Sequence, residues 1–263
     1  MQKKLLSAAA VVLGLLSGTA QAHFQLVYTP QVQLDEPQTV PVKLVFWHPM
    51  ENGHVMDMEL PEAFYYVFKG EKTDLLKTLK PMTFKGQDNQ AQGFETEVKI
   101  RRNGDYVFVL QPAPYFEKSE NAYIQQITKS YLNKGDLPDA WHEPLGLATE
   151  IVPFNKPTNI LAGSTFTGQV LSDGKPAAGV EIEIEYMAAP PDIKANRASS
   201  NRSTETKGGT LVAVSDANGM FTFGIPKEGF WGFAALGSGS KTEYQGKELS
   251  QDAVIWIRAD KME

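Results

Sequence analysis

Apolar residues recur at every second position through much of the chain, and this period is typical of β-strands with one buried face. The stretch from Val40 to Trp47 is the clearest case, with apolar side chains at positions 40, 42, 44 and 46. Alternating or short apolar runs of this kind lie at 24–30, 40–47, 64–68, 94–100, 106–110, 123–132, 166–171, 180–186, 212–215, 221–223, 229–233 and 253–257. Together they predict an all-β protein.

Turn residues between these runs predict how the strands connect. Asn103-Gly104 predicts a hairpin between the runs at 94–100 and 106–110, and Asp173-Gly174 and Asn218-Gly219 are further hairpin signals. The prolines and polar residues of 152–157 predict a domain boundary. We therefore expect two β-sandwich-like domains, residues 23–154 and 155–263.

Two segments of the second predicted domain carry polar residues in number. Glu181, Glu183 and Glu185 alternate with apolar residues in the run at 180–186, which predicts an acidic face turned toward solvent. Residues 188–209 are polar and contain prolines, so we expect a mobile loop there. Neither segment predicts chemistry.

The first 22 residues have the pattern of a secretory signal peptide. Lys3 and Lys4 precede an apolar run at 5–16, and Ala20-Gln21-Ala22 forms a small-residue cleavage site. The apolar run is shorter than the ~20 residues that a spanning helix needs. We therefore expect an exported, soluble protein that begins at His23 and does not insert into the membrane.

Composition removes several classes of function. The chain has no cysteine, which excludes thiolate metal sites, thiol catalysis and disulfides. Its formal charge is −6, and loss of the leader with its two lysines and no acidic residue would make it −8. An acidic protein is a poor partner for nucleic acid or anionic membranes.

One turn concentrates metal-ligating side chains. Residues 47–58 hold two of the four histidines and three methionines around Pro49 and Gly53, namely His48, His54, Met50, Met56 and Met58. Imidazole suits nickel, copper and zinc, and thioether adds a softer ligand. Cleavage after Ala22 would also give His23 a free α-amine beside its imidazole. We predict His23, His48, His54 and Met56 as metal ligands.

Each candidate ligand also has an ordinary structural interpretation. His48 follows an apolar strand and could simply hydrogen-bond within a turn. His54 lies in a surface loop beside Gly53 and needs no function there. Methionines at strand spacing are more often core filler than ligands. His142 beside Glu143 is either a solvated pair or a pair of metal-binding or supporting groups.

A set of short motifs resembles a known family. They are Ala22-His23-Phe24, His48-Pro49, Met56-Asp57, Pro61–Phe64, Glu71–Leu76, Trp141, Glu143–Leu147, Thr149–Pro153, Gly168–Leu171, Asp173–Pro176, Gly229 and Trp231–Leu236. The chain is similar over nearly all of its mature length to the periplasmic component of bacterial cobalt/nickel uptake systems of the energy-coupling-factor type. That family is often described only as a domain of unknown function.

The resemblance implies nickel or cobalt binding in the periplasm. It also implies two β domains, the second immunoglobulin- or prealbumin-like, as in carboxypeptidase-regulatory modules. His23 and His48 fall on the family's pattern, whereas His54 and His142 do not match a regular histidine position of it.

The leading functional prediction is a binding protein without enzymatic activity. It would capture Ni²⁺ or Co²⁺ and deliver the ion to an inner-membrane permease. The α-amine has a reference pKa of ~7.7–8.0 and must lose its proton to bind, so binding should weaken on acidification.

Three alternatives remain open from the sequence. The same amine and imidazoles suit Cu²⁺, which would make this a copper-binding periplasmic protein with an N-terminal histidine brace. A copper oxygenase would also begin with histidine, but it needs a flat, exposed substrate face, and the core already claims the aromatic residues. The third alternative is a purely structural β-sandwich protein. In that case His23 follows the cleavage site by chance and binds no metal.

Overall fold

The computed structural model describes residues 23–204, 206 and 209–262. The predicted leader, residues 1–22, lies outside the described residues. The described chain is almost entirely β-structure with one 3-10 helix, Leu76–Thr78, and the all-β prediction is confirmed. Across the described residues, no helix has the length and apolar character needed to span a membrane.

The strands of the first part of the described chain include one for each of the six predicted runs and five that were not predicted. They are β1 (Phe24–Tyr28), β2 (Gln33–Leu34), β3 (Gln38–Trp47), β4 (Val55–Met56), β5 (Ala63–Phe68), β6 (Glu71–Asp74), β7 (Lys80–Lys85), β8 (Gln90–Ile100), β9 (Gly104–Gln111), β10 (Tyr115–Glu117) and β11 (Ala122–Lys134).

The remaining strands are shorter on average, apart from the last. They are β12 (Thr149–Pro153), β13 (Ile160–Leu161), β14 (Thr165–Ser172), β15 (Lys175–Pro176), β16 (Glu181–Tyr186), β17 (Pro191–Asp192), β18 (Arg197–Ala198), β19 (Leu211–Val214), β20 (Met220–Gly224), β21 (Gly229–Ala235), β22 (Glu243–Tyr244) and β23 (Lys247–Asp260).

These strands form three sheets. The front sheet has the order β1-β3-β8-β7-β18-β17, with β4 added to β3. The long sheet has the order β19-β16-β21-β23-β11-β9-β5-β6 and also takes up β2, β10, β13 and β22. The small sheet has the order β12-β14-β15, with β20 beside β14.

The long sheet joins the two parts of the chain that were predicted as separate domains. Its central pair is β11 and β23, which run parallel from Tyr123 opposite Leu249 to Ser130 opposite Trp256. The predicted boundary at 154/155 follows β12, which pairs with β14 beyond it. The division into two domains therefore stays a prediction. Main-chain hydrogen bonds within one sheet connect strands on both sides of the predicted boundary.

Packing of the front sheet on the long sheet buries β1, the first described strand, between the two sheets. One apolar cluster between them contains Phe24 and Trp47 from the front sheet together with Ala234 and Trp256 from the long sheet, all nearly or fully buried. Gly232 lies against both the Phe24 and Trp256 rings, and a Cβ there would come within 3.0 Å of each. The two aromatic rings thus fill the space that this glycine leaves.

Two of the predicted hairpins are wrong. Strands β8 and β9 flank Asn103-Gly104, but β8 belongs to the front sheet and β9 to the long sheet. Strands β19 and β20 flank Asn218-Gly219 and likewise lie in different sheets. In a β-sandwich, a tight turn can connect two strands of one sheet or carry the chain from one sheet to the other. Here the strands on either side of each turn are buried in different sheets, so the turn connects the two sheets. Asp173-Gly174 does join a pair, β14 and β15.

Two predictions about polar segments are also wrong. Glu181 is exposed as predicted, but Glu183 and Glu185 do not face solvent, since they are 6% and 5% exposed. Glu185 Oε2 accepts a hydrogen bond from the Met50 N–H in the turn after β3. The segment 188–209 contains β17 and β18, which extend the front sheet from β7. Its Asn196 Oδ1 accepts a hydrogen bond of 2.6 Å from the buried Lys43 Nζ.

Candidate metal centre

Strand register brings His23 and His48 together. In the antiparallel pair of β1 and β3, Phe24 lies opposite Trp47 and Gln25 opposite Phe46. One step outward, the same register sets His23 across from His48. Cross-strand neighbours share one face of a sheet, and the two imidazole rings have centroids 4.5 Å apart at an angle of 52°. The sheet therefore fixes the pair that the sequence predicted.

Side chains of the long sheet anchor the strand that carries His23. Gln126 on β11 donates a hydrogen bond of 2.7 Å to the His23 carbonyl and accepts one of 2.8 Å from the Gln25 main-chain N–H. The Trp256 indole N–H donates to the Gln25 carbonyl at 2.9 Å. Buried main-chain groups need such partners, so the start of β1 is held in one position.

A short turn holds His48 at the end of β3. His48 is 3% exposed, and its carbonyl accepts a hydrogen bond of 3.0 Å from the Gly53 N–H. The Trp47 indole N–H donates to the Gly53 carbonyl at 3.0 Å. The Met50 N–H donates to Glu185 Oε2 at 3.3 Å, which ties the turn to β16 of the long sheet. The histidine thus lies in a turn that is fixed from both sheets.

Glu117 is a site residue that sequence reasoning missed. Its Oε2 lies 3.3 Å from His23 Nε2, and the two side chains are 13% and 16% exposed. Burial alone would raise the pKa of Glu117, but hydrogen bonds from the Ser119 hydroxyl and main-chain N–H, with His23 and His48 nearby, lower it overall. A carboxylate so placed stays ionised and favours an imidazole proton or a cation beside it.

The remaining predicted ligands occupy different surroundings. His54 is exposed, and its Nε2 lies 3.3 Å from the Asn89 amide nitrogen. Met56 is 2% exposed and packs in the apolar cluster that contains Phe46 and Leu44. Their ligation of a metal stays a prediction.

The donors present fit a late first-row metal ion only in part. Within the described ranges, no three His, Cys, Asp or Glu side chains converge closely enough to hold an ion. An imidazole nitrogen binds such a metal at about 2.1 Å, so two imidazoles at right angles on one ion have centroids about 4.5 Å apart. The observed separation of the His23 and His48 rings fits that value, and it also fits ordinary ring packing. An α-amine on His23 would be the third donor.

A cavity of about 330 Å³ lies near His23, although neither His23 nor His48 is among its lining residues. Phe46 and Tyr115 line it, and their ring centroids lie 5.6 and 6.4 Å from that of His23. Its other lining residues are Gln25, Asp57, Met58, Glu59, Pro112, Ala113, Pro114, Phe116, Lys118, Tyr123, Ile124, Gln126, Tyr244 and Gln245.

Sequence signals for this surrounding shell are weak. Glu117 follows the proline-rich loop before β10, and only the pairing of β10 with β11 brings it to His23. Gln126 lies within β11 and belongs to no recognisable sequence motif. The same run has four other polar residues, so the sequence does not mark Gln126 in advance. They are Gln125, Thr128, Lys129 and Ser130.

Comparisons with solved structures return other β proteins at low similarity. The D0-D1 domain of intimin is 10% identical, with 87% of this chain and 95% of that chain covered and a TM-score of 0.22. The Yersinia pseudotuberculosis adhesin InvE is 13% identical, with 91% and 61% covered and a TM-score of 0.24. Likenesses this weak bear on neither function nor partners.

Among curated proteins, no sequence matches this one significantly. A family model, by contrast, matches residues 20–239, which include His23, His48 and Glu117 and span most of the chain. That model is described as "Domain of unknown function (DUF4198)". The protein therefore belongs to the DUF4198 family.

Proposed function

We propose that the protein binds a divalent late first-row metal, Ni²⁺ or Co²⁺, in the periplasm and passes it to an inner-membrane permease. One observation carries the metal-binding part: strand register pairs His23 with His48 at a ring separation of 4.5 Å. Nitrogen donors of this kind suit these ions. The delivery step rests on the resemblance of the chain's motifs to cobalt/nickel uptake components.

Three residues hold or tune the ion in this proposal. The α-amine and imidazole of His23 form one chelate, and the His48 imidazole adds a second ring nitrogen. Glu117, 3.3 Å from His23 Nε2, orients that ring and adds negative charge beside the ion. Carboxylates that hydrogen-bond a ligating imidazole act in this way in known metal sites.

The test compares the form that begins at His23 with a form that has one extra residue in front of it. An extra residue turns the amine into an amide, which binds metal only after a far harder deprotonation. Calorimetric titration with Ni²⁺ and Co²⁺ should show a loss of affinity nearly as large as that of His48→Ala. Equal affinity in the two forms would exclude the amine as a ligand.

Copper is a second candidate, favoured by one specific observation. The Met58 sulfur lies 3.4 Å from the Gln25 side-chain nitrogen, and both residues line the cavity beside His23. Thioether is a preferred ligand of Cu⁺. Titration of the same variants with Cu²⁺, and with Cu⁺ under reducing conditions, separates the two proposals. Met58→Leu should weaken only Cu⁺ binding if copper is the cargo.

A further inference from the structure

Three hydrogen bonds tie residues 188–204, here named the strap, to the turn that follows His48. They run from the Ala188 N–H to the Pro49 carbonyl (3.1 Å), from the Thr204 N–H to the Met50 carbonyl (2.7 Å) and from the Asn52 side-chain amide to the Ser200 carbonyl (2.9 Å). The turn residues in these bonds are all buried. Buried main-chain carbonyls need hydrogen-bond partners, and the strap supplies them at two successive positions of the turn.

Elsewhere the strap has little regular pairing with the front sheet. Its strands β17 and β18 have two residues each, and in the described sheet β18 meets β7 at one register pair, Arg197 opposite Lys85. Its three basic residues, Lys194, Arg197 and Arg202, are exposed. Segments with short strands and exposed residues are among those that open first in native proteins. We therefore expect the strap to open without unfolding of the sheets.

Asn196 is a polar anchor of the strap away from the turn. Its side-chain oxygen accepts a hydrogen bond of 2.6 Å from the buried Lys43 ammonium group, and its main-chain carbonyl accepts one of 2.8 Å from the Lys85 N–H. A hydrogen bond from a charged group is stronger than one between neutral groups. The strap is thus held at two places, at the turn after His48 and at Lys43.

We propose that the strap and the metal centre are coupled, so that an ion bound at His23 and His48 holds the strap closed and opening of the strap releases the ion. This inference rests on the proposed metal binding. Opening removes three hydrogen bonds from the turn that follows His48, so the His48 imidazole is held less firmly against that of His23. An ion that binds the closed form more tightly than the open form favours closing by the same factor.

Limited digestion with trypsin tests this coupling on the form that begins at His23. The three basic residues of the strap offer cleavage sites, and the exposed Lys69 in the hairpin of β5 and β6 is a reference site outside it. Saturating Ni²⁺ should slow cleavage in the strap at least about tenfold, because loss of support for one ligand lowers metal affinity about 10–100-fold. Cleavage after Lys69 should change less than about twofold. In His48→Ala, the same Ni²⁺ concentration should give no protection of the strap.

Asn196→Gly tests whether the ion leaves through the open strap. Glycine accepts the backbone φ of 50° at this position, and the change removes the side-chain anchor to Lys43, away from the turn. Release of Ni²⁺ to a chromophoric chelator and metal-free cleavage of the strap should each become about tenfold faster. Asn103→Ala is the matched control, since it removes a lysine–amide hydrogen bond of 2.7 Å outside the strap, and both rates should stay within about twofold.

The outcomes separate this inference from the proposed function. If Ni²⁺ binds and the strap is protected no more than Lys69, or if Asn196→Gly releases Ni²⁺ at an unchanged rate, the coupling is overturned and metal binding stands. If calorimetry shows no Ni²⁺ bound to any form, the proposed function fails and the coupling falls with it. Thermal unfolding checks that Asn196→Gly is folded, and digestion of the unsubstituted protein decides alone if it is not.

Discussion

The pKa values of two carboxylates in different parts of the protein shift in opposite directions. Glu117 beside His23 has a 13% exposed side chain and a lowered pKa. Glu183 in the long sheet is 6% exposed, and burial, with Glu181 and Asp252 close by, raises its pKa to about 7. Both are withdrawn from water. At Glu183 burial is the main cause and the neighbouring carboxylates add to it, whereas at Glu117 hydrogen-bond donors and imidazoles outweigh burial.

The difference between the two pKa values shows that the surroundings of Glu117 favour a cation and those of Glu183 do not. A carboxylate that stays ionised in a buried place strengthens any positive charge beside it. One that is protonated near neutral pH behaves as a polar part of the core. From the sequence, Glu183 was expected on a solvent-facing strand face, and Glu117 was not singled out. The neighbours of a carboxylate, supplied by the fold, decide its role.

The largest expected effect is on stability at Glu183. Its folded pKa exceeds that of an unfolded glutamate, so ionisation begins to destabilise the fold above pH ~4.5 and does so fully above about 7. Glu183→Gln should therefore stabilise the protein at pH 8 by about 3 kcal/mol and have little effect at pH 4. Urea unfolding at both pH values measures this, and an equal effect at the two would contradict the raised pKa.

Removing a ring from the histidine pair comes next. His48→Ala should lower Ni²⁺ affinity by more than about 100-fold, because losing only a supporting partner of a ligand already costs about 10–100-fold. His54→Ala is the matched control, since it removes an exposed imidazole from the same turn. Calorimetry provides the affinities, and the thermal unfolding of the metal-free variants checks that each is folded. A larger loss of Ni²⁺ affinity in His54→Ala than in His48→Ala would place the metal site in the turn and not at the His23–His48 pair.

Neutralising Glu117 should have a smaller effect of the same kind. Glu117→Gln keeps the shape and a hydrogen-bond acceptor but removes the charge next to His23, so affinity should fall about tenfold. At pH 8, where Glu183 is mostly ionised, Glu183→Gln removes the same charge from the other member of the comparison and should leave Ni²⁺ affinity within about twofold. Equal losses in the two variants would show that net charge, and not the partner of His23, sets the affinity.

The smallest effect is expected at the other histidine–glutamate pair. His142 Nε2 lies 3.5 Å from Glu143 Oε1, much as in the His23–Glu117 pair, but the two side chains are 54% and 60% exposed. Exposed pairs contribute little because water screens them. His142→Ala should change Ni²⁺ affinity by less than about twofold and unfolding free energy by less than about 0.5 kcal/mol. A loss comparable to that of His48→Ala would place the site at the wrong pair.

Much of the fold follows from local patterns. The alternation from Val40 to Trp47 predicted β3, and the β-branched and aromatic residues of 123–132 predicted β11 where periodicity alone was ambiguous. The same local reasoning brought His23 and His48 forward as candidates. Strands, turns and candidate ligands depend on the residues of one short segment, so local sequence patterns are enough to predict them.

Pairing across the molecule is a different matter. Nothing in residues 100–106 distinguishes a hairpin from a turn between layers, and Asn103-Gly104 proved to be the latter. β16 lies between β19 and β21 in the long sheet, and Glu183 on it is buried, which its alternation with apolar residues did not predict. Glu117 and Gln126 reach His23 only through pairings between strands. These features depend on contacts between distant segments, which alternation within one segment does not encode.

The parallel pairing of β11 and β23 also sets the timing of folding. Gln125 and Gln251 lie 126 positions apart in sequence and hydrogen-bond to each other at 2.8 Å. Contacts of such long range form slowly, since the loop must close before they are gained. Gln126 and Trp256, which hold the first strand, stand on these two strands. A chain emerging N-terminus first can therefore pair β1 with β3 early, but the hydrogen bond from Trp256 that holds β1 forms only once the last long strand is present.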